Sequence, residues 1–164
     1  MKRLNLGSGN DYRSGWVNVE VIPSLKGDVR HNLEKYPYPF KANTFDEIRA
    51  SNILEHLTDP IKALKEIIRI ARPGAKLVVI VPHAHSYSAV GDLQHKHFFT
   101  EHTFAPLLLQ EYGLEGLRLD KVSFISSGNI NSWKKYIPLK RFLKIFFLGM
   151  YDEIQFDFTI KKKN

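Results

Sequence analysis

The residues best suited to chemistry stand at the ends of short apolar stretches. Gly7-Ser8-Gly9 follows directly on Arg3–Leu6. Two glycines there let backbone approach a ligand closely and present amide donors to it. Glu20 ends a second stretch, thirteen residues after Gly7. A carboxylate in that place can accept hydrogen bonds from both hydroxyls of a ribose. A Gly-Ser-Gly turn alone is often only a turn, and a lone strand-end acid is often only solvated. In order, the two carry more than either does alone.

Histidine supplies the second kind of group. His83 and His85 follow the apolar run Leu77–Pro82, and His95, His97 and His102 lie in the next loop. Imidazole is the natural base near neutral pH. His83 and His85 are best placed, at the mouth of a strand, with Asp92 or Glu101 to orient one of them. The pairs His83-x-His85 and His95-x-His97 also invite a zinc reading. Loop spacing constrains geometry little, so no metal ligand is assigned.

These groups need elements to position them. Arg3–Leu6, Trp16–Val21 and Thr44–Ala50 read as strands, the second from its period-two alternation and β-branched residues. Tyr36–Phe40 is an extended connector, since each proline biases its predecessor away from helix. Asp59 is a good N-cap and Pro60 fits the first helical position. Ile61, Leu64, Ile67, Ile68 and Ala71 then share one helical face, and Pro73-Gly74 is the expected stop. Lys76–Val81 has the continuous apolar character of a strand buried on both faces in a parallel sheet. Thr103–Tyr112 predicts a helix, Leu117–Ile125 a strand with a bulge, Leu139–Met150 a further helix, and Glu153–Ile160 a last strand. Alternating strands and helices predict an α/β fold, with ligands at the carboxyl ends of the strands.

Composition bounds the rest. At 164 residues, 43% hydrophobic and 25% charged, the chain fits one soluble domain spanning 1–164 and excludes wholesale disorder. With no cysteine, disulfides, thiolate metal sites and cysteine nucleophiles are excluded. The net charge is +7. Residues 1–116 carry 14 basic and 13 acidic residues, whereas 117–164 carry 10 and 4. The excess is thus confined to a basic C-terminal segment, read as serving substrate recognition or packing. The opening Met-Lys-Arg-Leu-Asn-Leu-Gly lacks the apolar core of a signal peptide, and no apolar tract approaches the ~20 residues of a membrane span. A cytoplasmic location is expected.

A string of motifs in one order carries a resemblance. Leu4-Asn5-Leu6-Gly7-Ser8-Gly9-Asn10, Gly15-Trp16-Val17-Asn18-Val19-Glu20, Asp28–Leu33, Pro39-Phe40 and Thr44-Phe45-Asp46-Glu47-Ile48 come first. Ile53-Leu54-Glu55-His56-Leu57, Ala63-Leu64-Lys65-Glu66, Arg69, Arg72-Pro73-Gly74-Ala75 and Val79–Pro82 follow. Over about residues 3–125 the chain resembles the class I S-adenosylmethionine-dependent methyltransferases, in particular the small methyltransferase type 11-like group. The resemblance implies a Rossmann-like sheet, mostly parallel, with Glu153–Ile160 antiparallel. It implies S-adenosyl-L-methionine as cofactor, with Gly7 and Gly9 under its methionine part and Glu20 on its ribose. Leu6, Ser8 and Val21 flank that site. Asn32, where the family commonly has Asp, would meet the adenine, and Leu33 would pack on the ring or offer its amide. Ser51 and Leu54 would lie along the cofactor, and Glu55-His56 at the rim toward substrate. His83, His85 and His56 are the catalytic candidates.

Two departures stand out: Asp11 replaces a third glycine, and only Asn10–Gly15 separate Gly9 from Trp16. A parallel crossover usually needs about a dozen residues or more. The first crossover helix is therefore expected to be shortened or missing, leaving one sheet face for a homodimer partner or the C-terminal segment to cover. A dinucleotide site fits less well, for want of the helix whose N-terminus would hold a pyrophosphate. Ser51-Asn52-Ile53-Leu54 lacks the proline-aromatic motif of base N-methylating enzymes, so nucleic acid is disfavoured. A small molecule, a sugar or a lipid-linked compound is the expected acceptor. Lys134–Met150 mixes apolar and basic residues, which suits a lid, core packing, a partner surface or peripheral membrane contact. A non-catalytic cofactor-binding or scaffold subunit is the alternative, motivated by Asn32 and the missing helix.

Overall fold

A computed structural model of the chain describes residues 1–126, 138 and 151–162. Its strands are β1 (Arg3–Leu6), β2 (Val17–Glu20), β3 (Val29–Arg30), β4 (Phe45–Ser51), β5 (Ala71–Pro82), β6 (Leu117–Ile125) and β7 (Glu153–Ile160). They form one seven-stranded sheet in the order β3-β2-β1-β4-β5-β7-β6. Neighbours from β3 through β5 run parallel, and β7 lies antiparallel between β5 and β6. This is the Rossmann-like arrangement expected, including the reversed last strand. The order reverses between β1 and β4, the place where open parallel sheets bind ligands. Because β6 and β7 complete the sheet, the basic segment 117–164 supplies part of the scaffold and is not an appendage. The expected helix at 139–150, and the lid or membrane role given to 134–150, fall outside the described residues, apart from Pro138.

The sheet has one apolar and one polar row. Leu4, Leu6, Val19, Ile48, Ala50, Leu77, Val79, Phe156 and Phe158 align through the register and are buried together. The opposite row reads Asn18, Asn5, Arg49, Val78, Asp157. β5 is accordingly not buried on both faces along its whole length. Lys76 is exposed and Val78 half-buried, and burial on both sides begins only at Val79.

Helix α1 (Pro60–Ile70) starts as read: the Asp59 carboxylate accepts the Lys62 N–H at 2.8 Å, with Pro60 in the first turn. Ala63, Leu64, Ile67 and Ile70 are its buried residues. It ends at Ile70, before Pro73-Gly74, because Ala71 already pairs with Phe45 in the sheet. The Lys162 ammonium then donates to the freed carbonyls of Arg69 (2.9 Å) and Ala71 (2.6 Å), which is how a lysine caps a helix C-terminus. A five-residue helix α2 (Tyr87–Gly91) was not anticipated; the Ser86 hydroxyl caps it, accepting the Ala89 N–H at 3.0 Å. Helix α3 (Pro106–Glu111) is shorter than the 103–112 expected. Thr103 is held in the preceding turn, its hydroxyl accepting the Thr100 N–H at 2.9 Å, and the helix starts at Pro106. The bulge in β6 lies between Leu119 and Lys121.

No helix joins β1 to β2: residues 7–16 cross over as a loop. Two buried asparagines do the work of the missing helix. The Asn18 amide donates to the Arg13 carbonyl (3.0 Å) and accepts the Arg13 N–H (2.9 Å), and Asn5 donates to the Asp11 carbonyl (2.7 Å) and to Asn18 (3.2 Å). Asn18 also donates to Asp28 at 2.9 Å, tying the loop to the strand edge beyond. The Arg13 N–H and the Arg13 and Asp11 carbonyls of the loop are thereby satisfied without helical hydrogen bonds.

Candidate functional site

A cleft of about 530 Å³ opens at the carboxyl ends of β1, β2 and β4. Gly7, Ser8, Gly9, Glu20, Val21, Asn32, Leu33, Ser51 and His56 line it. Of the expected cofactor residues, Leu6 and Leu54 do not. Each is 1% exposed and packed in the core behind the wall, so the cleft sees their neighbours.

Glu20 ends β2 and is 4% exposed. One carboxylate oxygen accepts the Gly9 N–H at 2.6 Å; the other accepts the N–H groups of Val21 (2.8 Å) and Ile22 (2.9 Å). The carboxylate thus bridges the glycine turn and the loop after β2. Each oxygen can accept more than one hydrogen bond, so acceptor capacity remains for a hydroxyl. Gly7 has φ +60, and a Cβ there would stand 2.0 Å from the Ile53 side chain. Gly9 has φ +49, with no atom within 4 Å of its would-be Cβ. Both φ values lie in the left-handed region that favours glycine. At the rim, the exposed Asn32 accepts the Glu34 N–H at 2.9 Å.

A second chamber of about 680 Å³ adjoins the cleft and shares Asn52, His56 and Gln94 with it. Glu55, Asp92, His95 and Glu153 are on its wall. Asn52 (φ +53) makes the tight turn after β4, its amide N–H donating to Ile80 O at 2.8 Å and its side chain to Glu153 at 2.9 Å. Glu55 is 1% exposed, and neither carboxylate oxygen has a hydrogen-bond partner on another described residue. Burial pushes its carboxyl up to about 7, against a smaller opposing effect of its own backbone N–H.

Of the three histidines proposed for catalysis, only His56 reaches either chamber. His83 is 2% exposed, because the chain stays extended past β5: its N–H donates to Asp152 O at 3.1 Å and it bridges to Phe99. Its ring stands edge-on to His85 and Phe124, with a Glu101 oxygen 3.5 Å away. The potential ligands that converge among the described residues are Glu55, His56 and His95, not two His-x-His pairs. Glu55-His56 belonged to a recognisable string, but His95 came from a loop with no periodic signal.

A mostly parallel sheet with this strand order and a reversed β7, a glycine turn after β1 and an acid anchored at the end of β2 belong to a Rossmann-like fold. The methyltransferase domain family matches residues 13–133, and the chain belongs to it. The ubiquinone/menaquinone biosynthesis C-methyltransferase UbiE of Escherichia coli (strain K12 / DH10B) is 40% identical over 63 residues. That match covers 38% of this chain and 24% of the enzyme, so the chain spans about a quarter of the length of this curated relative. Among solved structures, an S-adenosylmethionine-dependent methyltransferase from Archaeoglobus fulgidus superposes with TM-score 0.68 at 16% identity, over 96% of this chain and 86% of that one. A putative methyltransferase from Haloferax volcanii, solved with the Trm112 activator, gives TM-score 0.66 at 15% identity, over 99% and 83%. S-adenosylmethionine is the cofactor to expect of this family and fold. No helix among the described residues is long and apolar enough to cross a membrane.

Proposed function

We propose that the chain binds S-adenosylmethionine in the first cleft and transfers its methyl group to an acceptor held in the second chamber. The observation that carries this reading is Glu20, fixed by three amides across the glycine turn at the floor of the cleft. Glu20 would take the ribose hydroxyls, the Gly7–Gly9 turn the methionine part, Asn32 and Leu33 the adenine end, with Val21 and Ser51 alongside. Leu6 and Leu54 would contribute through backbone alone. When bound, the cofactor supplies a methyl group on a sulfonium, with a neutral thioether as leaving group.

The chain's own part is to align the acceptor with that methyl, an effect worth up to about 7–11 kcal/mol in favourable intramolecular models. His56 lines both chambers and would face the acceptor. The second chamber suits a small molecule, a sugar or the head of a lipid-linked compound. Asn32 and the missing crossover helix also suit a scaffold subunit that binds cofactor without turnover. Transfer from labelled cofactor to a panel of such acceptors separates the two readings.

Calorimetric titration with S-adenosylmethionine tests the first step. Binding in the micromolar range is expected, weakened at least tenfold by Glu20→Ala and unchanged by Glu47→Ala. No heat at high-micromolar cofactor would overturn the proposal.

A further inference from the structure

The second chamber holds a group that the cofactor reading leaves unexplained. A carboxylate as deeply buried as Glu55 normally has partners, because an unpaired charge or polar group costs several kcal/mol in the interior. Neither of its oxygens has one on another described residue, and no hydrogen bond or ion pair joins it to either neighbouring histidine. Yet one ligand atom each from Glu55, His56 and His95 lies within 4.8 Å of the other two. The three are too far apart to satisfy one another and close enough to share an ion.

We propose that Glu55, His56 and His95 bind a zinc-class divalent cation on the wall of the second chamber. The His95 ring carries the strongest sign. Its Nδ1 lies 2.9 Å from the Ala89 carbonyl, which can only accept, so Nδ1 bears the proton. With Nδ1 so engaged, Nε2 is the ring atom left to offer a lone pair to an ion. A ligating histidine characteristically donates its other N–H to a backbone carbonyl in this way, fixing tautomer and orientation. The His56 and His95 rings meet edge-on with centroids 4.7 Å apart. The His56 side chain makes no hydrogen bond among the described residues.

Two imidazoles and a carboxylate are a zinc donor set, and three protein ligands with one open position are the pattern of reactive sites. Bond lengths near 2.0–2.1 Å put tetrahedral ligand atoms about 3.4 Å apart. The trio, within 4.8 Å of one another, must therefore close by about 1.4 Å at most, within reach of small side-chain rotations. Asp92, with a carboxylate oxygen 3.6 Å from His95 Nε2, stands at the rim. A fourth position on the ion would be open to an acceptor hydroxyl or water from the chamber, and the ion would lower that oxygen's pKa with the proton released to solvent. This use of the ion rests on the methyl-transfer reading; the ion site itself does not.

The test uses the full chain, stripped with chelator, with zinc or cobalt as the probe and no S-adenosylmethionine present. One equivalent should bind at micromolar concentration or tighter. Cobalt should give the intense visible absorption of a tetrahedral site, and zinc should raise the melting temperature. Glu55→Gln and His95→Gln should each weaken binding at least tenfold, following the scale at which ligand-shell changes act. Melting of each metal-free variant checks that it still folds, and the wild-type zinc response stands as evidence if one does not. No zinc binding by the wild type at about 100 μM, or binding unchanged in both folded variants, overturns the proposal. Cofactor titration is scored separately, so zinc binding without cofactor binding would sink the methyl-transfer reading and keep the ion site.

Discussion

Two glutamates stand at the same end of the sheet, Glu20 at 4% exposure and Glu55 at 1%, in opposite states. Glu20 accepts three amide N–H groups and is locked before any ligand arrives. Glu55 accepts none from another described residue. Fully hydrogen-bonded buried groups rigidify a site, whereas an unpaired one is a standing cost that a fold keeps only for a purpose. The first cleft is preorganised, whereas the neighbouring chamber keeps an unpaired carboxylate in its wall.

The contrast extends to the loops behind each glutamate. Glu20 faces a crossover loop whose backbone is held by Asn5 and Asn18. Replacing the fully buried Asn18 with Leu would strand the Arg13 N–H and C=O, the Asn5 amide and a bond to Asp28 together. At about 1–3 kcal/mol for each buried group left unmade, and with some relaxation, the loss should be about 3–5 kcal/mol. Urea unfolding at constant m-value measures it. A loss below about 1 kcal/mol would show that the loop holds itself, and the preorganised side of the contrast would fall.

Glu55 should respond in the opposite direction. Glu55→Leu removes an uncompensated acid from the interior and fills its space with apolar atoms. The metal-free protein should become more stable by about 1–2 kcal/mol. Its melting temperature should no longer rise with zinc, and methyl transfer should fall. Destabilisation of the metal-free protein would mean that Glu55 is already satisfied and that the two glutamates are alike.

The two sites differ in legibility for the same reason. Gly7, Gly9 and Glu20 could be read in advance because the turn, the strand end and their order are local features of the chain. Helix α1 was readable from Asp59, Pro60 and its apolar period, yet its end was misplaced: pairing of Ala71 with Phe45 overrode the Pro73-Gly74 stop. β3, two residues long, has no period to detect. The chamber depends on burial and on His95, forty residues from Glu55, which spacing does not encode. The apolar run Leu77–Pro82 puts His83 and His85 at the mouth of a strand, but the ladder does not open there. The sheet instead keeps His83 through Asp152 and Phe99.

A third glutamate calibrates the comparison at its small end. Glu66 on α1 is satisfied like Glu20 but lies outside both chambers. Its carboxylate takes Arg69 in a two-pronged pair at 2.8 Å each and accepts the Tyr38 N–H at 2.7 Å, while Arg69 donates to the carbonyls of Phe40 (2.9 Å) and Tyr38 (3.0 Å). This pins the 36–40 connector to the helix. The hydrogen bonds from Arg69 hold the Glu66 carboxyl below its ordinary value, against a smaller opposing effect of burial. A carboxyl depressed in the folded state contributes stability that is present above its unfolded pKa and is lost as pH falls through its folded one. Glu66→Gln should therefore cost about 1 kcal/mol at pH 7, the pair being partly open to solvent. The difference from wild type should shrink as pH falls through the depressed folded value, where the Glu66 carboxyl becomes neutral as the amide is. Zinc and cofactor affinity should not change. A difference that stays constant across the whole acid range in which the protein is folded would mean that shape, not charge, holds the connector, and satisfaction of a glutamate in this fold would then have to be judged by packing.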